Sequence, residues 1–132
     1  MERLILDTGV LVAAVRGSSM VPEDADVAIP AMVIAEYLAG VELDAVAGRR
    51  AAQKTFIEDL LNVVPIVNYD RFVAEHHAVL LAHSKREGRR RGPHDLIIAA
   101  TARATGRAIL TTDARARFDE LPKVIARVVL NS

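Results

Sequence analysis

Four acidic residues stand where their side chains could act together, namely Asp7, Glu36, Asp95 and Asp113. Asp7 and Asp113 each end a predicted strand. Asp95 falls in the first turn of a predicted helix, and Glu36 falls in the second turn of another. In a parallel sheet with helical crossovers, strand ends and helix starts meet at one edge, so we expect the four carboxylates to gather there.

Chain lengths support this placement for Asp95 and Asp113. The helix from Asp95 to Thr105 carries the chain about 15 Å from the edge, at roughly 1.5 Å per residue. The strand that follows returns it by about 20 Å, at roughly 3.3 Å per residue. Because the two distances nearly match, both acids should lie at the same edge. Glu36 must point sideways from its helix to join them.

Each carboxylate also has a purely structural interpretation. Asp7 and Asp113 precede predicted helices, where aspartate is a favoured N-cap. Asp95, two residues after Pro93, could complement the helix dipole, and Glu36 could lie on a solvated face. Capping does not require four acids at one edge, so the joint arrangement favours a chemical role.

Clustered carboxylates repel one another, and two charges 4 Å apart cost about 4 kcal/mol at an effective dielectric near 20. A divalent cation removes this conflict, and ligands made only of oxygen favour Mg²⁺ or Mn²⁺. Asp7, Asp95 and Asp113 are the predicted metal ligands. Nearby hydroxyl groups could hold a water molecule or a carboxylate around the ion. They belong to Thr8, Thr111 and Thr112.

A dense basic segment, Lys85–Arg91, leads directly to Asp95, and further arginines follow Asp113. A charge run of this kind is often only solvated surface. Beside an acidic metal site, however, it suits a polyanionic substrate whose phosphates are held by arginine. The candidate RNA-binding residues are Arg89, Arg90, Arg91, Arg115 and Arg117.

Other catalytic motifs are absent from the sequence. There is no P-loop, no dinucleotide-binding glycine motif and no nucleophile elbow of the hydrolases. His76, His77 and His83 share one predicted helix without a metal-binding spacing. His94 directly precedes Asp95. Its side chain could contact a phosphate, or it could act at the start of the helix.

Composition restricts the class of protein. The chain has 132 residues, 52% hydrophobic and 26% charged, which predicts a single domain over residues 1–132. The absence of cysteine excludes disulfide frameworks and Cys-ligated metals, and it fits a cytoplasmic setting. Seventeen basic and seventeen acidic residues cancel, so a uniformly basic nucleic-acid surface is excluded. The apolar run 9–15 is shorter than the roughly 20 residues that span a bilayer, and we expect no signal peptide and no membrane association.

Short β-branched runs alternate with longer alanine-rich runs, a pattern that predicts an α/β fold with a parallel sheet covered by helices. The helix after Pro30 has an apolar stripe that we expect to face the core, made of Ala31, Ile34, Ala35 and Leu38. The predicted strands are 3–7, 26–29, 63–67, 108–112 and 123–130. The predicted helices are 8–15, the segment from 30, 45–62, 70–86, 93–105 and 114–120.

In their order and spacing, four segments resemble a PIN-domain nuclease. They are LILDTGVL around Asp7, the helix from Pro30 to Glu36, DLIIAA from Asp95 and LTTD ending at Asp113. Within that family the chain is similar to the VapC-type toxins of prokaryotic toxin–antitoxin pairs, over nearly its whole length.

The resemblance implies an α/β/α sandwich with a mainly parallel central sheet and an acidic quartet at Asp7, Glu36, Asp95 and Asp113. It also implies a Mg²⁺- or Mn²⁺-dependent endoribonuclease, a toxin homodimer and a small antitoxin partner. Two alternatives remain. The same metal site could serve a DNA nuclease or a phosphatase. A non-catalytic receiver-type domain fits least, because Asp7 has no acidic neighbour after the first strand.

Overall fold

A computed structural model describes residues 1–129 of the chain. Its centre is a five-stranded sheet in the order β3-β2-β1-β4-β5, with every neighbouring pair parallel. The predicted parallel sheet is therefore confirmed. The strands are β1 (Arg3–Leu6), β2 (Asp26–Pro30), β3 (Ile66–Val67), β4 (Ala108–Thr111) and β5 (Ala126–Val128).

The helices lie between the strands in the chain. They are α1 (Thr8–Val15), α2 (Ala31–Leu43), α3 (Ala47–Leu61), α4 (Arg71–Glu87) and α5 (Pro93–Thr105). The first connections move the chain from β1 toward β3, and the α4–α5 connection moves it back to β4. Since parallel crossovers are right-handed, these two sets of helices cover opposite faces of the sheet. This is the α/β/α sandwich that the family resemblance implied.

The register of β1 and β4 aligns the ends of these central strands. Leu6 lies opposite Leu110, and the backbone N–H of Asp7 donates to the carbonyl of Leu110 at 3.0 Å. Fully buried isoleucines at positions 5, 29 and 109 fill the sheet's interior. Among the described residues, no helix has the length and apolar character needed to cross a bilayer.

The predicted core-facing stripe of α2 is wrong except at Ile34, which packs half-buried against the core. The buried residues of this helix are Val33, Tyr37 and Val41, and the Tyr37 hydroxyl donates to the Gln53 carbonyl of α3 at 2.8 Å. Of the predicted stripe, Ala31 and Ile34 are half-buried, whereas Ala35 and Leu38 are exposed. Because α2 is apolar on several sides, its periodicity did not decide which face packs.

Several predicted boundaries also change. The strand predicted over 63–67 shortens to Ile66–Val67, since Pro65 has no N–H to donate, and it lies at the edge of the sheet. The predicted helix 114–120 splits into two 3₁₀ turns, Ala114–Ala116 and Phe118–Glu120, because Arg117 has a left-handed φ of 49°. The strand predicted over 123–130 is confined to β5, with Lys123 at a φ of 56°. Leu130 lies outside the described residues.

Candidate metal centre and arginine cavity

Asp7 lies between the end of β1 and the first turn of α1. One carboxylate oxygen accepts from the N–H of Thr8 at 2.8 Å, so the residue does cap the helix. The other oxygen accepts from the hydroxyl of Thr111 on β4 at 2.7 Å. Helix capping alone therefore does not account for Asp7, whose second oxygen is held from a neighbouring strand.

The surroundings of Asp7 disfavour a negative charge. Burial raises the pKa of Asp7, and the charges of Glu36 and Asp113 raise it further. The hydrogen bonds from Thr111 and Thr8 act in the opposite direction without cancelling the rise. Asp7 is thus a buried carboxyl group with acidic neighbours, an arrangement that a nearby cation would stabilise.

Glu36 reaches the same edge from α2, as the sequence predicted. Its Oε1 accepts a 3.0 Å hydrogen bond from the hydroxyl of Thr8, and its Oε2 lies 3.3 Å from Nδ1 of His94. These contacts join the start of α1, the second turn of α2 and the start of α5. His94 therefore contacts a carboxylate, a partner that its position beside Asp95 had not suggested.

Asp95 lies in the first turn of α5 and is half-buried. Burial raises its pKa, and the charges of Asp7, Asp113 and Glu36 raise it further. Gly92 leaves room for this side chain, since a Cβ at position 92 would stand 3.0 Å from Oδ2 of Asp95. The carboxylates predicted to meet at one edge are thus close enough to act on one another.

Asp113 follows β4 and is exposed. Its Oδ1 accepts from the N–H of Arg115 at 2.9 Å, which confirms that it caps the short helical turn. Its own N–H donates to the Thr111 hydroxyl at 3.0 Å. Thr111, which is fully buried, therefore contacts both Asp7 and Asp113.

We call Asp7, Glu36, Asp95 and Asp113 the acidic edge. Within residues 1–129, no three acidic or histidine side chains form a preassembled metal-binding group. Several carboxylate oxygens of the acidic edge are instead held by hydroxyl and amide donors. The carboxylate atoms that could bind a metal are all oxygens, and their negative charges repel one another. This combination suits a hard divalent cation.

The predicted arginines surround a cavity of about 310 Å³ next to Asp95. We call it the arginine cavity. Three of its arginines have partners. Arg89 donates to Glu120 at 2.6 Å, and Nε of Arg117 lies 3.7 Å from the same carboxylate. Arg91 donates to the carbonyls of Ala116 and Arg117, both at 3.0 Å. The lining residues are Arg89, Arg90, Arg91, Gly92, Asp95, Arg115, Ala116 and Arg117.

The histidines of α4 contact neighbouring side chains. His76 accepts from Arg103, His77 contacts the hydroxyl of Tyr69 at 2.8 Å, and His83 pairs with Glu87. All three are half-buried on α4 and pair with different partners, so they form no common site.

Sequence reasoning missed Gly9, which allows α1 to approach the end of β4. A Cβ at position 9 would overlap the hydroxyl of Thr112. Thr112 therefore lies against the start of α1, whereas the hydroxyls of Thr8 and Thr111 bind carboxylates of the acidic edge. A glycine in the first turn of a helix is unfavourable by propensity, and this was the available signal.

A family profile described as the PIN domain matches residues 4–124. Among curated proteins, the tRNA(fMet)-specific endonuclease VapC of Shigella flexneri is 31% identical over 87 residues. That alignment spans 66% of this chain and 64% of the Shigella protein, so it covers less than two thirds of the relative.

Solved structures share the fold over nearly the full chain. VapBC2 from Rickettsia felis, bound to a promoter DNA fragment, superposes with a TM-score of 0.81 at 19% identity, covering 97% of this chain and 99% of that one. VapBC-5 from Mycobacterium tuberculosis is described as a member of the VapBC family of toxin–antitoxin systems. It superposes with a TM-score of 0.75 at 25% identity, covering 99% of this chain and 100% of that one.

Proposed function

The chain belongs to the PIN-domain family, and on that premise we propose that it is a metal-dependent endoribonuclease, the toxin of a toxin–antitoxin pair. One observation carries this proposal. The pKa values of Asp7 and Asp95 are raised first by burial, and the charges of Glu36 and Asp113 raise both further; the charge of Asp7 also raises the pKa of Asp95. Four mutually repelling carboxylates are costly to keep together unless a cation joins them.

In this proposal, Asp7, Asp95 and Asp113 would hold Mg²⁺ or Mn²⁺, and Glu36 would ligate the ion, act on it through water, or orient the nucleophilic water. When bound, such an ion would lower the pKa of a bound water and polarise the scissile phosphate. Thr111 orients the carboxylate of Asp7 from β4, and Thr8 orients Glu36 from α1. The threonine hydroxyls thus fix two acids that would otherwise move apart.

The proposed substrate is RNA. The arginine cavity lies beside Asp95, so a phosphate chain crossing the acidic edge would meet guanidinium groups directly. The activity printed in the name of the Shigella relative, a tRNA-specific endonuclease, supports the same substrate class for this chain.

We also propose a cytoplasmic homodimer that binds a small antitoxin protein. The structures to which the chain is similar include complexes described as toxin–antitoxin systems. Large apolar side chains on the surface support a need for partners, since Leu43 is 85% exposed, Val63 80% and Phe72 56%.

Cleavage assays on matched substrates test this function. Protein freed of antitoxin and stripped of metal should cleave single-stranded RNA after addition of Mg²⁺ or Mn²⁺ and should stop in EDTA. The Asp95→Asn variant should lose activity by at least about 100-fold, as expected when a metal ligand or its charge is removed. Asp59→Asn, which changes an exposed acid of α3, serves as the control and should keep wild-type activity.

The same assay distinguishes the alternative substrates. DNA of the same sequence and a phosphomonoester such as p-nitrophenyl phosphate should be cleaved far more slowly than RNA. Preferred cleavage of DNA would assign a DNA nuclease, and preferred hydrolysis of the monoester would assign a phosphatase.

A further inference from the structure

The arginines around the cavity differ in their hydrogen-bond and ion-pair partners. Arg91 is half-buried and gives two hydrogen bonds to backbone carbonyls, at Ala116 and Arg117. The second of these carbonyls belongs to a residue with a left-handed φ of 49°, a conformation that side-chain-bearing residues rarely adopt. Arg91 therefore joins the loop before α5 to the turn after β4, and it builds the wall of the cavity.

Glu120 occupies two further arginines. Arg89 donates to its Oε1 at 2.6 Å, and Nε of Arg117 lies 3.7 Å from its Oε2. All three side chains are substantially exposed, between 40% and 58%. These ion pairs are on the surface and weak, so an anion entering the cavity can compete for the same guanidinium groups.

Arg90 and Arg115 are both exposed and both line the cavity. In the described part of the chain, neither guanidinium group has a hydrogen-bond or ion-pair partner. Each comes from a segment that also contributes to the acidic edge, one leading to Asp95 and one following Asp113. They are the arginines of the cavity whose guanidinium groups are unpaired in the described residues, and they come from two different segments of the chain.

We propose that the arginine cavity is a subsite for an internal phosphate of the RNA backbone, next to the phosphate that is cleaved. This rests on the function proposed above. Arg90 and Arg115 grip the phosphate, and Arg91 shapes the subsite. Glu120 weakens binding by holding Arg89 and Arg117. The five arginines thus divide into two that bind directly, one that supports the cavity and two that are restrained.

Binding to an RNA that cannot be cleaved tests this assignment. A short single-stranded oligonucleotide with 2′-O-methyl groups, held in EDTA, reports affinity by fluorescence anisotropy without turnover. Arg90→Ala/Arg115→Ala should bind about tenfold more weakly, as expected when charge-assisted hydrogen bonds are lost. Its plot of log affinity against log salt should flatten by about 0.7 for each phosphate contact removed.

Two further variants complete the design. Arg16→Ala removes an exposed arginine at the end of α1, away from the acidic edge, and should bind like the wild type. Glu120→Gln frees Arg89 and Arg117 and should tighten binding roughly two- to fivefold at low salt, an effect that salt should remove. Thermal melts should show wild-type stability for the double variant and a loss for Arg91→Ala.

The outcomes separate the subsite from the nuclease function. If the wild type cleaves RNA but the double variant keeps wild-type affinity and salt slope, the subsite is wrong and the nuclease stands. If the wild type binds RNA through Arg90 and Arg115 but cleaves no RNA with any metal, the nuclease is wrong. The placement of the subsite next to a cleaved phosphate is then wrong too, while phosphate binding by the two arginines stands. No binding of RNA by the wild type overturns the subsite, and the cleavage assay with metal then decides the nuclease function separately. Binding that requires a 5′-phosphate on the oligonucleotide overturns the assignment to an internal phosphate.

Discussion

The hydroxyl of Thr111 donates a 2.7 Å hydrogen bond to Oδ2 of Asp7, and it links the ends of two adjacent parallel strands. The same hydroxyl accepts from the backbone N–H of Asp113 at 3.0 Å. One fully buried side chain thus holds two members of the acidic edge. This contact makes the arrangement of the carboxylates depend on a residue that is not itself an acid.

Replacing Thr111 with valine should destabilise the protein and lower its activity. The substitution keeps the shape but leaves Oδ2 of the buried Asp7 without its donor, a loss that costs about 1–3 kcal/mol. Thr111→Ser retains the hydroxyl and serves as the control. Urea unfolding measures both variants, and equal stability of the valine and serine proteins would show that the hydrogen bond does not matter.

The metal-free protein should show a pH dependence that arises from Asp7 and Asp95. Their pKa values are raised, so the folded state binds protons more tightly than the unfolded state does. Their contribution to stability is complete below the usual aspartate pKa and is lost as the pH rises through the raised values. Asp44 acts in the opposite direction, because the hydrogen bond from Arg49 lowers its pKa to about 2.

Asp95→Asn isolates this effect as a difference from the wild type. In EDTA at neutral pH, the variant should be as stable as the wild type or more stable, by up to about 1 kcal/mol once solvent screening is allowed for. The advantage should vanish as the pH falls below the usual aspartate pKa. Thermal melts across the acid range measure it, and a large loss of stability at neutral pH would instead assign Asp95 to supporting the start of α5.

Gly9→Ala should destabilise the fold, because the new Cβ overlaps the hydroxyl of Thr112. Steric conflicts of this kind typically cost about 1–3 kcal/mol. Removing the hydroxyl relieves the conflict, since the Cβ of residue 112 would lie 3.4 Å from the new methyl group. Gly9→Ala/Thr112→Ala should therefore be at least as stable as Thr112→Ala alone. Chemical denaturation of the three variants measures the coupling, and additive effects would contradict the proposed contact.

The parallel sheet and the gathering of acids at its edge were predictable from sequence. Strand and helix runs alternate along the chain, and in such folds strand ends and helix starts share one edge. Such a boundary was predicted at each of Asp7, Asp95 and Asp113. The lengths of the intervening helices and strands were therefore enough to predict that these acids come together.

Other features depend on contacts between distant parts of the chain. Local periodicity did not show that α2 buries Val33 and Tyr37, because this helix has apolar residues on several sides. The two 3₁₀ turns separate at Arg117, whose carbonyl accepts from Arg91, a residue 26 positions earlier in the chain. The distinct contacts of neighbouring Thr111 and Thr112 likewise follow from which side of β4 each hydroxyl occupies.

Titration with Mn²⁺ tests whether metal binding at the acidic edge produces the proposed activity. Metal-stripped protein is titrated, and thermal stability and RNA cleavage are followed in the same samples. We predict that the wild type gains both together, with stabilisation of about 2.7 kcal/mol at one hundred times the dissociation constant. Asp95→Asn should gain neither over the same range. Full cleavage by the wild type in EDTA, or cleavage restored to Asp95→Asn by Mn²⁺ at wild-type concentrations, would contradict the metal site proposed at the acidic edge.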